Sequence, residues 1–408
     1  MGPLRLFGWP IRACVLLVLI APSGTGEEPK APQYGPEVQK RLDELRQKGE
    51  PVTLEDLTPE PIPPEENAAT IYRQAFAAYV EPDEAVHILR SRRRWSTEEA
   101  EKVRQWLENN RKTLALLHQA SLIDQCQFDG PYEPMDEKLH NMPAGLAPAL
   151  LLNCSILLHV RDDQPRKAIG DCLTGLRVAR HFGLRSTFVD FAGQGYMASY
   201  SLPPLPKLLS QAGLRDSDYE EVAVVLRDVL QSVSVVRSFQ ASRVSIIESI
   251  VRRGRAPEAE VLAMLDVWDR VFSAAEQPYY EVVDELQELD EHFARSTIPS
   301  MITVVASTGH VRLQAWLRTA FLEALVALEL EAHRRTTGSY PTDLTDMKLT
   351  YLEELPNDPC SGQPFHYEKT SDGYRLYSVG TNARYDGGRA GTVEHDDIGW
   401  AVKMKESN

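Results

Sequence analysis

The sequence predicts a mainly α-helical protein that ends in a small α+β domain: a helical bundle or solenoid-like module, then one long helix laid on a small antiparallel sheet. Three observations predict it. Apolar residues recur at three- and four-residue spacing in segment after segment from Glu65 onward. Strand-like alternation is nearly absent before residue 345. Beyond it, short runs rich in aromatic and β-branched residues replace the helical period. With 408 residues, 43% hydrophobic and 25% charged, the chain can bury a sizeable core and fill two or more domains.

Residues 1–24 read as a secretory signal peptide. Arg5 and Arg12 give a positive start, Ala13 to Ala21 is an apolar run too short to span a bilayer, and Pro22-Ser23-Gly24-Thr25-Gly26 supplies small residues for cleavage. Cys14 starts the apolar run, which argues against a lipid anchor. No later segment offers the roughly 18 uninterrupted apolar residues of a membrane helix. The expectation is an extracytoplasmic mature chain, periplasmic or secreted. A formal net charge of −15 argues against nonspecific nucleic-acid binding and against attachment to an anionic membrane. The basic run Arg90-Ser91-Arg92-Arg93-Arg94 is read as a solvated connection.

Residues 25–64 are a Pro/Glu-rich extended lead-in, with a short helix expected from Arg41 to Lys48. The helical module is expected over 65–300. Ala68, Ile71, Tyr72, Ala75, Phe76 and Tyr79 form one helix face, and Ser96-Thr97-Glu98-Glu99 opens another helix with an N-cap residue and early acids. Ala147 to Val160 is apolar nearly all round and predicts a buried helix. A break at Asp162-Asp163-Gln164-Pro165 leads into Ala168 to Phe182. That hairpin looks like a tetratricopeptide unit, without a convincing 34-residue repeat. Four more helices are expected at Tyr219–Val236, Phe239–Val251, Glu258–Ala274 and Tyr279–Phe293.

The long helix is expected from about Val311 to Arg335, with Leu317, Ala320, Phe321, Ala324, Leu325, Leu328 and Ala332 as its stripe. Phe321, Leu325, Leu328 and Ala332 are expected to face the sheet residues Phe365, Tyr367, Leu376 and Tyr377. Gly338 supplies a left-handed stop and Pro341 prevents continuation. Strands are expected at Phe365–Glu368, Tyr374–Val379 and Ile398–Met404, with Asp372-Gly373 as a hairpin turn.

The C-terminal punctuation is specific in its order. His333-Arg334-Arg335-Thr336-Thr337-Gly338-Ser339-Tyr340-Pro341 is followed by Leu355-Pro356-Asn357-Asp358-Pro359, Gly362-Gln363-Pro364-Phe365, Gly373 through Gly380, Asp386-Gly387-Gly388 and Asp396-Asp397-Ile398. This series resembles the globular domain of the type II secretion major pseudopilin, the G-type subunit. The resemblance spans roughly Val311 to Val402, under a quarter of the chain, and implies a pseudopilin-like α+β domain over 308–408. It also implies a calcium ion in the closing loop, with Asn382, Asp386, Asp396 and Asp397 as donors beside the Ser378 and Val379 carbonyls. Asn382 departs from the acidic ligand common there, and Arg384 and Arg389 add positive charge. The alternative is an ion-free loop held by hydrogen bonds. A true pseudopilin also begins with a short leader, a Glu five residues after cleavage and a long apolar helix, which this chain does not follow.

Enzyme signatures are absent: there is no H-E-x-x-H, G-x-S-x-G or G-x-x-x-x-G-K-[ST]. Gly193-Gln194-Gly195-Tyr196-Met197-Ala198 matches a dinucleotide fingerprint in letters only, since helical segments flank it, and is read as small residues where helices pack. His395-Asp396-Asp397 is read as a surface loop, Glu285, Glu288, Asp290 and Glu291 as a solvated acidic face, and Trp268, Tyr279 and Tyr280 as core. Cys126, Cys154, Cys172 and Cys360 form no C-x-x-C pair. Cys154 and Cys172 flank the hairpin break symmetrically; buried free thiols are favoured over a bridge, because packed helix axes lie about 8–10 Å apart.

The function expected from these features is a non-catalytic extracytoplasmic protein that binds a protein or envelope partner through its helical module. Two alternatives remain: an extracytoplasmic hydrolase with a site in the helical groove, and a pseudopilus-associated subunit. A His–carboxylate contact in that groove would favour the hydrolase.

Overall fold

The computed structural model describes residues 33–89, 94–128, 142–184, 188–252, 257–294, 302–388 and 396–403. The expected signal peptide, most of the basic run at 90–94, and His395 lie outside the described residues. Thirteen helices come first among them: α1 (Pro36–Gln47), α2 (Ala68–Ala78), α3 (Glu84–Leu89), α4 (Thr97–Asn109), α5 (Arg111–Ser121), α6 (Met142–Arg161), α7 (Pro165–Gly183), α8 (Phe188–Ser201), α9 (Leu205–Leu209), α10 (Asp216–Ser232), α11 (Val236–Arg252), α12 (Glu258–Glu276) and α13 (Tyr279–Ala294). The long helix α14 (Ile302–Thr337) leads to a single antiparallel sheet of β1 (His366–Thr370), β2 (Gly373–Ser378) and β3 (Ile398–Lys403), in that order. The protein is mainly helical with a small sheet near its C-terminus, and before residue 345 the described residues carry only the isolated bridge Asn67–Gln125.

Local chemistry explains the boundaries. Ser96 caps α4 reciprocally: its hydroxyl accepts the Glu99 amide at 3.2 Å, and the Glu99 carboxylate accepts the Ser96 amide at 2.8 Å. Gly338 ends α14 with φ of 86°, a backbone state that costs glycine little. The hairpin turn falls at Ser371-Asp372, one residue earlier than expected. Thr370 pairs with Gly373, so Gly373 opens β2 and Tyr374 and Leu376 point inward.

The lead-in is fastened to the bundle instead of trailing from it. Helix α1 buries Val38, Leu42 and Leu45. Its N-terminal amides, Glu37 and Val38, donate to one carboxylate oxygen of Glu258 on α12 at 2.8 and 3.1 Å. A Cβ on Gly35 would sit 2.3 Å from that carboxylate, so a larger residue would push the Glu258 side chain away from these amides. Buried Arg243 on α11 reaches Glu50 at 2.7 Å and the Pro51 carbonyl at 3.1 Å, tying down the rest.

Three apolar clusters make the interior. The first gathers α2 to α5 with one side of α6 and parts of α7 and α8, around Tyr72, Trp106 and Leu151. The second and largest runs from α1 through α7 to α14, around Trp268, Phe191 and Phe239. The third lies between α14 and the sheet. Cys154 belongs to the first cluster and Cys172 to the second, so the two thiols diverge; both are buried and neither is in a disulfide. The small residues of α8 do allow close helix packing: a Cβ on Gly193 would meet the Phe182 ring at 2.9 Å, and one on Gly195 would meet Leu313 at 2.8 Å. Trp268 and Tyr279 are core, but Tyr280 is exposed and lies over Gly362, where a Cβ would meet its ring at 2.8 Å. The acidic face of α13 is partly engaged: Glu285 pairs with Arg270 at 3.2 Å and Asp290 with Arg312 at 2.7 Å.

Helix α14 starts earlier than expected, and from Thr319 to Glu331 it is buried on both its faces. Phe321, Leu325 and Leu328 face the central helical core, whereas Val326, Ala327 and Leu330 face the sheet with Phe365, Tyr374, Leu376 and Val402. The expected stripe is therefore real but turned away from the sheet. A single-stripe reading presumes one buried face, and this helix has two. We expect Leu328→Ala to cost roughly 2–5 kcal/mol by urea unfolding, while Val224→Ala, at a 58%-exposed position, stays within about 0.5 kcal/mol.

Candidate functional site

The expected ion loop joins β2 to β3. Asp358, from the Leu355–Pro359 motif, fixes its root: its carboxylate accepts the Cys360 amide at 2.8 Å, the Ser378 hydroxyl at 2.8 Å and the Val379 amide at 3.2 Å. Gly380 follows with φ of 72°, its α-carbon so close to Asp396 that a Cβ would stand 2.3 Å from that residue's carbonyl.

The structure brings Asn382, Asp386, Asp396 and Asp397 into one hydrogen-bonded cluster. Asp396 accepts the Thr381 hydroxyl at 2.7 Å and the Asn382 amide at 3.1 Å. The Asp386 carboxylate accepts from the Asn382 side chain at 2.9 Å. Asp397 accepts the amides of Asp386 at 3.1 Å and Gly388 at 2.7 Å. Asp396 and Asp397 are thus buried parts of the loop's framework, correcting their assignment to an open surface loop. Their oxygens are of the kind calcium takes. As placed, they are spent on loop donors, and among the described residues no three His, Cys, Asp or Glu side chains are arranged to hold a metal. Burial, with Asp386 nearby, pushes both carboxyls above the ordinary carboxylate range.

Beneath this loop α14 carries an acid that the stripe reading left unplaced. Glu323 is fully buried, and neither of its oxygens makes a hydrogen bond of full geometry. Burial, compounded by Asp358 and Asp397, drives its carboxyl well above the ordinary range, and the Ser378 amide offsets this only in part.

A second cluster lies in the helical part, at the seam of α5, α6 and α7. Asp171 on α7 is buried, and its Oδ2 accepts the Ser155 hydroxyl at 2.6 Å and His159 Nδ1 at 2.9 Å, both from α6. His118 Nε2, from α5, meets Oδ1 at 3.0 Å, and His118 Nδ1 lies 2.6 Å from the Thr174 hydroxyl. Burial alone would raise the Asp171 carboxyl, but these three donors hold it below the ordinary range. The sequence carried two faint signals: Ser155 and His159 one helical turn apart, and Asp171 beside the apolar face of its helix. His181 is different. Burial lowers its pKa to about 4; its Nε2 donates to the Ile123 carbonyl at 2.8 Å and its Nδ1 accepts from Tyr72 at 2.8 Å, leaving neither nitrogen open.

No protein-family model, curated protein or solved structure matches this chain.

Glu323 sets a pH dependence. Its folded pKa stands above the ordinary 4.5, so folding above that value takes up a proton. Its contribution is full below about pH 4.5 and is lost as pH rises toward the folded pKa. Urea midpoints at pH 5 and pH 8 should therefore fall less in Glu323→Gln than in the wild type. Equal falls would mean that Glu323 does not titrate on unfolding.

Proposed function

We infer that the chain is a non-catalytic extracytoplasmic protein. A helical bundle binds a protein or envelope partner, and a pseudopilin-like α+β domain, stabilised by calcium in the 378–397 loop, closes its C-terminal end. The observation that carries this reading is the burial of α14. A pilus subunit must leave its long helix free to pack against neighbouring subunits, whereas here the protein's own helices and sheet cover it. A bundle is favoured over a solenoid for the same reason. Solenoid repeats touch only their neighbours, while α14 touches α8, α9, α10, α12 and α13. No helix among the described residues is long and apolar enough to cross a membrane.

Calcium is supported by the electrostatics of the loop. Asp396 and Asp397 are each raised by burial beside Asp386, and a divalent cation would relieve that repulsion. Binding would exchange loop hydrogen bonds for bonds to the ion. Calcium in excess should then raise the melting temperature of the mature chain relative to chelator, because it binds only the folded state. Asp386→Ala and Asp397→Ala should lose the response. Identical midpoints in the two buffers would leave the loop held by hydrogen bonds alone. N-terminal sequencing of the mature protein should find cleavage near residues 23–27; a start before a long apolar helix would favour the pilus subunit instead.

The hydrolase reading gains one specific observation, the contact of His159 with Asp171 in the helical part.

A further inference from the structure

We propose that Tyr377 and Tyr385 are an oxidative cross-linking site: a peroxidase-type oxidant joins their rings carbon to carbon and ties the 378–384 arc to strand β2. The site is independent of the ion and hydrolase readings. Tyr377 lies on β2, and Tyr385 stands just before Asp386 in the loop. Their rings lie 15° from parallel with centroids 5.9 Å apart, and their phenolic oxygens meet at 3.2 Å. Each phenolic oxygen is flanked by two ortho carbons, the atoms at which phenoxyl radicals couple. The meeting of the oxygens therefore brings the reactive carbons together. His366 of β1 stacks on both rings, with centroids 5.1 Å from Tyr377 and 5.0 Å from Tyr385. The His366–Tyr377 contact follows from strand pairing, since the two residues face each other across β1 and β2. Tyr385 lies outside the sheet, yet its ring joins this stack while 59% exposed.

Exposure decides which side chains a diffusing oxidant reaches. Among the described residues every cysteine is buried, and Tyr280 and Tyr385 are the exposed aromatic side chains. Tyr196 and Tyr200 also stand close, with oxygens 3.5 Å apart, but both are buried. In the reaction each phenol loses one electron and its hydroxyl proton, giving a phenoxyl radical. The two radicals form a carbon–carbon bond between ortho positions. The hydrogen on each bonded carbon then moves to that ring's oxygen through water, which restores both phenols. Hydrogen peroxide, acting through a haem peroxidase, takes up the two electrons and two protons and leaves as two waters. The product closes residues 377–385 into a covalent ring, which fixes the arc that holds Asn382 and restrains the unfolded chain.

The test treats the full chain with hydrogen peroxide and a haem peroxidase, isolates the monomer and digests it with trypsin. Cleavage after Arg375, Arg384 and Arg389 leaves Tyr377 and Tyr385 on separate peptides, 376–384 and 385–389. The expected result is one joined peptide, lighter than the sum of the two by two hydrogens, with the blue fluorescence of bityrosine. Tyr385→Phe and Tyr377→Phe should each lose it. A synthetic 375–389 peptide treated alike should give several-fold less of the internal cross-link, because the fold sets the phenols together and nearness in sequence does not. Absence of the joined peptide from oxidised wild-type monomer overturns the assignment, and so does an equal yield from the synthetic peptide. Monomer fluorescence undiminished in Tyr385→Phe places the coupling on other tyrosines and overturns it too.

Discussion

The rest of the structure depends on burying the Thr319–Glu331 stretch of one helix on both faces. Helix α14 gives Phe321, Leu325 and Leu328 to the central helical core and Val326, Ala327 and Leu330 to the core beneath the sheet. Such a helix can carry a charge only where a partner waits. Glu329 is buried and accepts the amides of Thr350 and Leu352 at 2.8 and 2.6 Å, so it caps the turn that starts the C-terminal region. Glu331 takes the Tyr340 hydroxyl and Arg334 at 2.7 Å. Glu323 has no such partner, and burial beside Asp358 and Asp397 holds its carboxyl well above the ordinary range.

Both candidate sites stand at junctions between cores. The loop of Asp386, Asp396 and Asp397 closes over α14 where the central and sheet cores meet, with Ile398 in one and Val402 in the other. The Asp171 cluster lies in the α6–α7 hairpin that divides the first core from the second, beside the diverging thiols Cys154 and Cys172. At such seams polar groups face one another across helices, and each must find a partner without water. That requirement assembles the hydrogen-bonded clusters from residues remote in sequence.

Much of the fold was legible in the sequence because its signals are local. The Ser96 N-cap, the left-handed Gly338 stop and the alternation in Tyr374–Val379 depend on neighbouring residues alone; the cap and the stop appear where expected, and the strand lies one residue earlier. The orientation of α14 was not legible, because a helix covered on two sides has no single stripe to read. The lead-in hid its docking because Glu258, Arg243 and Glu248, which fasten it, lie some two hundred residues away. The loop donors could be named from their punctuation, but not the amides they satisfy. The Asp171 cluster escaped for a similar reason: its histidines come from two helices, and no spacing links His118 to Asp171.

Because both cores share α14, the helical bundle and the C-terminal sheet should unfold as one cooperative unit. Native-state hydrogen exchange across a urea series tests it directly, following amides of α7, α14 and β2 together. If the shared helix couples them, protection in the three elements converges on one unfolding free energy and is lost at one urea midpoint. Loss of β2 protection at lower urea, with α7 and α14 still fully protected, would contradict the account and make the sheet a separate appendage.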